Sequence, residues 1–195
     1  ENKDFFLNLK KIYEKRDNFF FKKKYQKANQ FDFNGKIDDL DFCVNYLKKS
    51  KLIELMKFIT CSNLVLTNIN IRINQNIKKS HSFWGSHRDT TFRKDNSIKG
   101  CVPPLKHLIY YPNLNDFNEI ENQLKIWVGS HRKMYSGYID SFFSLFGKKI
   151  IIKTSNDSMT LFDGALKHAV GYTNNPKGNL RLIYSFLDKS QIFNG

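Results

Sequence analysis

Between residues 64 and 187, short strand-like runs recur between turn residues, and no helical segments alternate with them. Many short strands without alternating helices favour an antiparallel sandwich or barrel. Beyond a first strand around residues 69–73, the runs that predict strands are 105–111, 124–128, 149–153, 159–163, 167–171 and 180–187.

The first strand has the cleanest alternation in the chain. Ile69, Ile71 and Ile73 alternate with polar residues, which predicts one apolar and one polar face. The polar face carries Asn70 and Arg72. It either faces solvent or lines a cleft beside the segment that follows, and the sequence leaves both interpretations open.

In the N-terminal part, apolar residues recur with a different spacing. Apolar residues at helical spacing predict an amphipathic helix within residues 3–30, and one broken helix or two short ones within 37–60. We therefore expect a helical segment over residues 1–62 that packs on the sheet of a β core over residues 63–195. The two would form one structural domain.

Composition limits the class of protein. A chain of 195 residues with 41% apolar residues can bury one good core. Cys43, Cys61 and Cys101 lack metal-type spacing, so we expect reduced thiols in a cytoplasmic protein. No run reaches the roughly eighteen apolar residues of a membrane span. No feature of the sequence indicates an oligomeric state.

The formal charge of +14 is typical of nucleic-acid-binding proteins. Lysine supplies nearly all of the excess, however, whereas proteins that read bases and phosphates rely on arginine as well. The abundance of Lys, Asn, Ile, Phe and Tyr is typical of A/T-rich codons. We therefore interpret the charge as a compositional effect and expect no nucleic-acid partner.

A His-x-Asp pair is the first candidate for chemistry. His87 and Asp89 stand two residues apart, so an extended backbone presents both side chains on the same side. His168, on a later predicted strand, would complete the 2-His-1-carboxylate set that holds Fe(II) and leaves coordination positions open. The pair alone is a weak indication, since a histidine on a strand is more often structural than a ligand.

Arg181 strengthens the case. It stands within the apolar run 180–187, where burial of a guanidinium requires an anionic partner. Alternation puts Arg181, Ile183 and Ser185 on one face of the strand. The guanidinium would bind the carboxylate of a ligand beside the metal. The alternatives are an edge-strand arginine in solvent, or a pair with Asp163 or Asp188.

Three segments in this order resemble the phytanoyl-CoA dioxygenase-like family of Fe(II)/2-oxoglutarate-dependent oxygenases. They are His87-Arg88-Asp89, residues 124–132 with Gly-Ser-His-Arg at their end, and residues 161–168 with a Phe-Asp-Gly turn before His168. Arg181 follows at the family's distance. The resemblance covers roughly residues 64–188.

The resemblance implies a double-stranded β-helix (jelly roll) flanked by N-terminal helices. By it, His87, Asp89 and His168 would ligate Fe(II), and Arg181 would bind the distal carboxylate of 2-oxoglutarate. The implied reaction uses molecular oxygen to hydroxylate an aliphatic C–H bond of a small-molecule metabolite, with release of succinate and CO2. Related halogenases lack the carboxylate, so Asp89 favours hydroxylation.

Two positions depart from the family pattern. The family usually has a serine or threonine two residues after the distal histidine, where this chain has Val170. Thr173 or Ser185 are candidates to replace that hydroxyl. The family also tends to have a proline where this chain has Val128, and neither change affects the proposed ligands.

Three alternative functions fit the sequence less well. A nucleic-acid dealkylating oxygenase would carry a second arginine six residues after Arg181, where this chain has Leu187. A non-redox metal-binding jelly roll, or a binding module with unused ligands, would have no need of Arg181. Structural or exposed roles are expected for the remaining candidates, which are His81, Trp84, His107, His131, Arg132 and Lys177. The alternatives are that His107 reaches the cleft from its predicted strand, that His131 and Arg132 bind an anionic substrate at the cleft mouth, that Trp84 is a substrate platform, and that Lys177 replaces Arg181 as the carboxylate anchor.

Overall fold

The computed structural model describes residues 3–15, 20–21, 30–33, 40–74, 86–89, 105–114, 122–132, 146–173 and 178–191, together with 139 and 142. Within this part of the chain, no helix has the length and apolar character needed to cross a bilayer.

Within the described residues, three α-helices lie in the N-terminal part: α1 (Lys3–Glu14), α2 (Asp41–Lys49) and α3 (Leu52–Thr60). Of the two alternatives for residues 37–60, two short helices are correct. They are separated at Lys51, whose φ of 55° lies in the left-handed region.

Nine strands are described, and the six predicted from residue 105 onwards agree with the observed ones within two residues. In chain order the strands are β1 (Phe20–Phe21), β2 (Gln30–Phe33), β3 (Leu64–Asn74), β4 (Lys106–Tyr111), β5 (Asn122–Trp127), β6 (Lys149–Thr154), β7 (Ser158–Asp163), β8 (His168–Thr173) and β9 (Asn179–Asp188).

The segment expected to be helical is only partly so. The first helix ends at Glu14, and β1 and β2 then pair with each other and extend the sheet through β3. The physical reason lies in the sequence, since Phe20 and Phe21 are consecutive and do not continue the three- and four-residue spacing of α1. The division into 1–62 and 63–195 stays a prediction.

The strands form two antiparallel sheets. The larger has the order β1-β2-β3-β9-β4-β7, and the smaller has the order β6-β5-β8. An isolated bridge between His87 and His168 adds the segment 86–89 to the free side of β8. The fold is therefore mainly β with N-terminal helices, and two packed antiparallel sheets are consistent with the expected jelly roll.

Apolar side chains pack on both faces of the larger sheet. On one face, Leu180 and Leu182 of β9 belong to the cluster that buries α1, α2 and α3 against the sheet. On the other face, Ile183 and Ile109 pack with Leu124 of the smaller sheet. The alternation along β9 thus separates the helix-covered face from the face between the sheets.

Candidate metal centre and ligand cavity

The structure brings His87, Asp89 and His168 together. Nε2 of His87 lies 3.4 Å from Oδ1 of Asp89, and Nε2 of His168 lies 3.3 Å from Oδ2 of the same carboxylate. One ligand atom from each residue lies within 4.8 Å of the other two. Two imidazole nitrogens and one carboxylate oxygen form the donor set that suits a non-haem divalent iron.

The state of His168 fits metal binding. Its Nδ1 lies 3.0 Å from the carbonyl oxygen of Leu166, to which a protonated Nδ1 donates, and the lone pair of Nε2 is then directed at Asp89. Burial lowers the pKa of His168 to about 4, against the opposing charge of Asp89. The imidazole is therefore neutral near pH 7, as a metal ligand must be.

Asp89 is ionised. Burial alone would raise its pKa, but the hydrogen bond with His87 and the neighbouring imidazoles hold the pKa below its usual value. The side chains of His87 and Asp89 are partly exposed, whereas that of His168 is buried. One side of the ligand set is thus open, which a centre with free coordination positions requires.

Backbone contacts fix the segment that carries the first two candidate ligands, His87 and Asp89. The N–H of Asp89 donates to the carbonyl of Gly164 at 3.0 Å. Arg88 stands between His87 and Asp89 in the sequence, and its guanidinium donates to the carbonyl oxygens of Ser130 and Ala165. One arginine therefore connects all three segments on which the family resemblance depends.

The turn before His168 is also held on both sides. The Asp163 carboxylate accepts from the N–H of Ala165 at 2.8 Å and forms an ion pair with Lys106. The hydroxyl of Ser130 accepts from the N–H of Lys167 at 2.8 Å. Ser130 and Arg88 were missed as positioning residues, because their partners are backbone groups that no spacing in the sequence reveals.

A third histidine lies at the centre. His107 is buried, with Nε2 3.2 Å from Oδ2 of Asp89 and Nδ1 3.0 Å from Oγ of Ser185. The sequence favours a structural or exposed role for His107 and leaves open that it reaches a cleft, and the structure places it in the cavity lining. The sequence did carry one indication, since His107 lies on a predicted strand from which a side chain can reach a cleft.

The cavity beside the ligand set is lined by three levels of side chains on the larger sheet. In the pairing of β4 with β9, His107 lies opposite Ser185 at the level of the candidate metal ligands, and Ile109 lies opposite Ile183 at the middle level. At the far level, Arg72 is paired with Arg181. The cavity has a volume of about 60 Å³. Asn70 and Phe162 complete the lining.

Arg181 lies on the cavity face of β9 and is 2% exposed. Its strand runs between β3 and β4, so it is not an edge residue. The two carboxylates considered as alternatives have other contacts, Asp163 with Lys106 and Asp188 with Ser190. The polar face of the first strand lines the cavity too, because Asn70 and Arg72 both reach it.

The remaining candidates are less central. Thr173 is buried, Ser185 contacts His107, and His131 is exposed on a 3-10 helix at Ser130–Arg132. The side chains of Val170 and Arg132 lie outside the described residues. So do His81, Trp84 and Lys177.

No model of a known protein family matches the sequence, and no curated protein matches it significantly. Solved structures do match. The fold is similar to that of SnoN, a non-heme alpha-ketoglutarate-dependent epimerase from nogalamycin biosynthesis, with a TM-score of 0.62 and 10% identity over 93% of this chain and 73% of that one.

Two further neighbours have the same fold. HygX from Streptomyces hygroscopicus, solved with nickel, 2-oxoglutarate and hygromycin B bound, gives a TM-score of 0.58 and 10% identity over 93% of this chain and 78% of its own. EctD from S. alaskensis in its apoform gives a TM-score of 0.53 and 12% identity over 96% of this chain and 70% of its own. At these identities the similarity concerns the fold, and it confirms the predicted jelly roll.

Proposed function

We propose that this chain is an Fe(II)- and 2-oxoglutarate-dependent dioxygenase that hydroxylates an aliphatic C–H bond of a small-molecule metabolite, with release of succinate and CO2. The observation that carries the proposal is one cavity with His87, Asp89 and His168 at one end and the buried guanidinium of Arg181 at the other. A non-redox metal site would have no use for that second feature.

In this proposal the iron is held by Nε2 of His87, Nε2 of His168 and one carboxylate oxygen of Asp89. When bound, the iron and 2-oxoglutarate together supply the activation of molecular oxygen, which no side chain of the cavity can perform. The protein supplies open coordination positions, ligand orientation and exclusion of water. The neutral His168 and the ionised Asp89 are already in the states that bind a metal.

The length of the cavity suits a dicarboxylate. Ser185 and Arg181 are four residues apart on β9, which corresponds to about 13 Å along the strand. An arginine side chain spans part of such a distance, and a five-carbon diacid with one end at the candidate metal ligands would span the rest. Between the ends lie Ile109 and Ile183, whose apolar side chains contact the methylene carbons and exclude water.

The neighbours add support. SnoN has been solved with Fe3+, alpha ketoglutarate and nogalamycin RO, and HygX with nickel and 2-oxoglutarate. Both have the fold of this chain, and both were solved with small molecules bound. A metabolite is therefore the proposed substrate here, and a nucleic acid is not.

The described cysteines, Cys43 and Cys61, are free thiols, in keeping with a cytoplasmic location.

The test is release of succinate from 2-oxoglutarate by the purified, iron-loaded protein in the presence of oxygen, measured by mass spectrometry with and without Fe(II). We expect slow, iron-dependent release even without the primary substrate, and none from His168→Ala. His131→Ala is the matched control, because it removes an exposed histidine outside the cavity. Absence of release from the loaded wild type, or equal release from His168→Ala, would contradict the proposal.

A further inference from the structure

Two arginines face the cavity from neighbouring strands. Arg72 of β3 and Arg181 of β9 are direct partners in the antiparallel register, and both line the cavity. Side chains directly opposite each other on one face of such a pair have Cβ atoms about 4.5–5.5 Å apart. Like charges in this position repel each other, and the repulsion is stronger in a partly desolvated cavity than in water.

Negative charge lies at the other end of the cavity. Among the described lining residues, Asp89 is the one carboxylate, and its oxygens contact His87, His107 and His168. On the strands, the level of Arg72 and Arg181 is about 13 Å from the level of His107 and Ser185. The described lining residues therefore place both arginines at the end opposite the candidate metal ligands, and on its other side Arg72 is paired in register with Asp32 of β2.

We infer that Arg72 and Arg181 form a two-guanidinium clamp, in which both side chains bind the same distal carboxylate of a dicarboxylate ligand. A carboxylate has two oxygens with about four acceptor positions, enough to accept a pair of hydrogen bonds from each of two guanidinium forks. One anion placed between the forks also removes most of their mutual repulsion. The identification of that ligand as 2-oxoglutarate rests on the proposed function.

This assignment gives Arg72 a role that the sequence left open between solvent exposure and a cleft. It also means that different groups of the protein recognise the two ends of the ligand. The metal end recognises what can chelate an ion, whereas the clamp recognises a carboxylate whether or not a metal is bound. A diacid without the keto group should therefore bind to the metal-free protein through the clamp.

The experiment measures binding of glutarate to metal-free protein by isothermal titration calorimetry and by ligand-induced shift of the melting temperature. Glutaramide, of the same length but uncharged, is the ligand control. We expect glutarate to bind at least about tenfold more tightly than glutaramide, since each charged hydrogen bond removed costs about that factor. Each shift is referred to the melting temperature of the same variant without ligand.

The variants are Arg72→Gln, Arg181→Gln and the double variant. Each single change is expected to weaken glutarate about tenfold or more, and the double change less than the product of the two, because both groups share one carboxylate. Lys48→Gln, which removes an equal charge from the exposed face of α2, is expected to have no effect. Arg72→Lys keeps the charge and covers the case in which Arg72→Gln folds poorly.

The outcomes distinguish this inference from the proposed function. If Arg72→Gln, or Arg72→Lys where only that variant folds, binds glutarate as the wild type does while Arg181→Gln does not, the clamp is wrong and the proposed role of Arg181 stands. Equal binding of glutarate and glutaramide by the wild type would also overturn the clamp. Absence of iron-dependent succinate release would instead overturn the proposed function, whatever the glutarate result.

Discussion

The backbones of His87 and His168 are hydrogen-bonded to each other in both directions, with each N–H donating to the other's carbonyl oxygen at 2.9 Å. Two candidate metal ligands, 81 positions apart in the sequence, are thus held by main-chain contacts that do not depend on their side chains. Their ring centroids lie 4.5 Å apart as a result. The separation of the imidazoles is therefore set before any ion binds.

This backbone pair allows metal binding to be removed without loss of the fold. His168→Ala is expected to abolish retention of Fe(II) or Ni(II), because one of the three donors is lost, while both backbone hydrogen bonds remain. Metal content after loading and desalting, measured by mass spectrometry, tests this against His131→Ala as the control. Retention of stoichiometric metal by His168→Ala would show that the ligand set is different.

Substitution of Arg181 should separate co-substrate binding from metal binding. Arg181→Gln removes a charge at the far end of the cavity and leaves the three proposed ligands intact, so metal content should be unchanged. The affinity of the metal-loaded protein for 2-oxoglutarate should fall by about tenfold or more. Calorimetry under anaerobic conditions measures it. A variant that lost metal and 2-oxoglutarate together would argue for a structural role of Arg181.

Alternation along single strands predicted much of this site. The period of two put Arg181, Ile183 and Ser185 on one face of β9, and all three line the cavity. Strand positions from residue 105 onwards could be found because each run is short, apolar and bounded by turn residues. Local pattern is sufficient wherever one face of a strand is buried.

Contacts that depend on register between strands could not be predicted. Whether Arg72 faces solvent or a cleft depends on which face of the sheet the helices cover, and that is a non-local property. The contact of His107 with Asp89 depends on the pairing of β4 with β9 and on the position of the segment 86–89, which is bridged to β8. The sequence indicates that His107 can reach a cleft from its strand, but it does not show which residue the imidazole contacts there.

The contact between His107 and Asp89 has a consequence for metal affinity. His107 Nε2 lies 3.2 Å from the carboxylate of Asp89, and Nδ1 contacts Oγ of Ser185. The ring is therefore placed to orient Asp89, which is one of the proposed metal ligands. Outer contacts of this kind are typically worth about tenfold to a hundredfold in affinity. His107→Phe should lower Ni(II) affinity by that amount, as measured by calorimetry.

Two further variants separate orientation from packing at this position. His107→Gln, which keeps a hydrogen-bonding group, should recover part of the lost affinity. Ser185→Ala should cause a smaller loss than His107→Phe, since it only frees the ring to turn. Equal Ni(II) affinity in the wild type and His107→Phe would mean that the contact does not position Asp89.

Gly164 lies where the backbone passes closest to His107, and no larger residue fits there without movement. A Cβ at this position would lie 2.7 Å from Nε2 of His107 and 3.0 Å from the carbonyl oxygen of Leu105. Gly164→Ala should therefore lower the free energy of unfolding by about 1–3 kcal/mol, the usual cost of overpacking. It should also weaken metal binding, because the carbonyl of Gly164 accepts from the N–H of Asp89. Urea denaturation and Ni(II) titration measure the two effects.

In a His107→Ala background the ring contact is gone and only the one with Leu105 remains, so the same substitution should cost less stability than in the wild type. An undiminished cost there would assign the tight fit to the backbone of Leu105 alone.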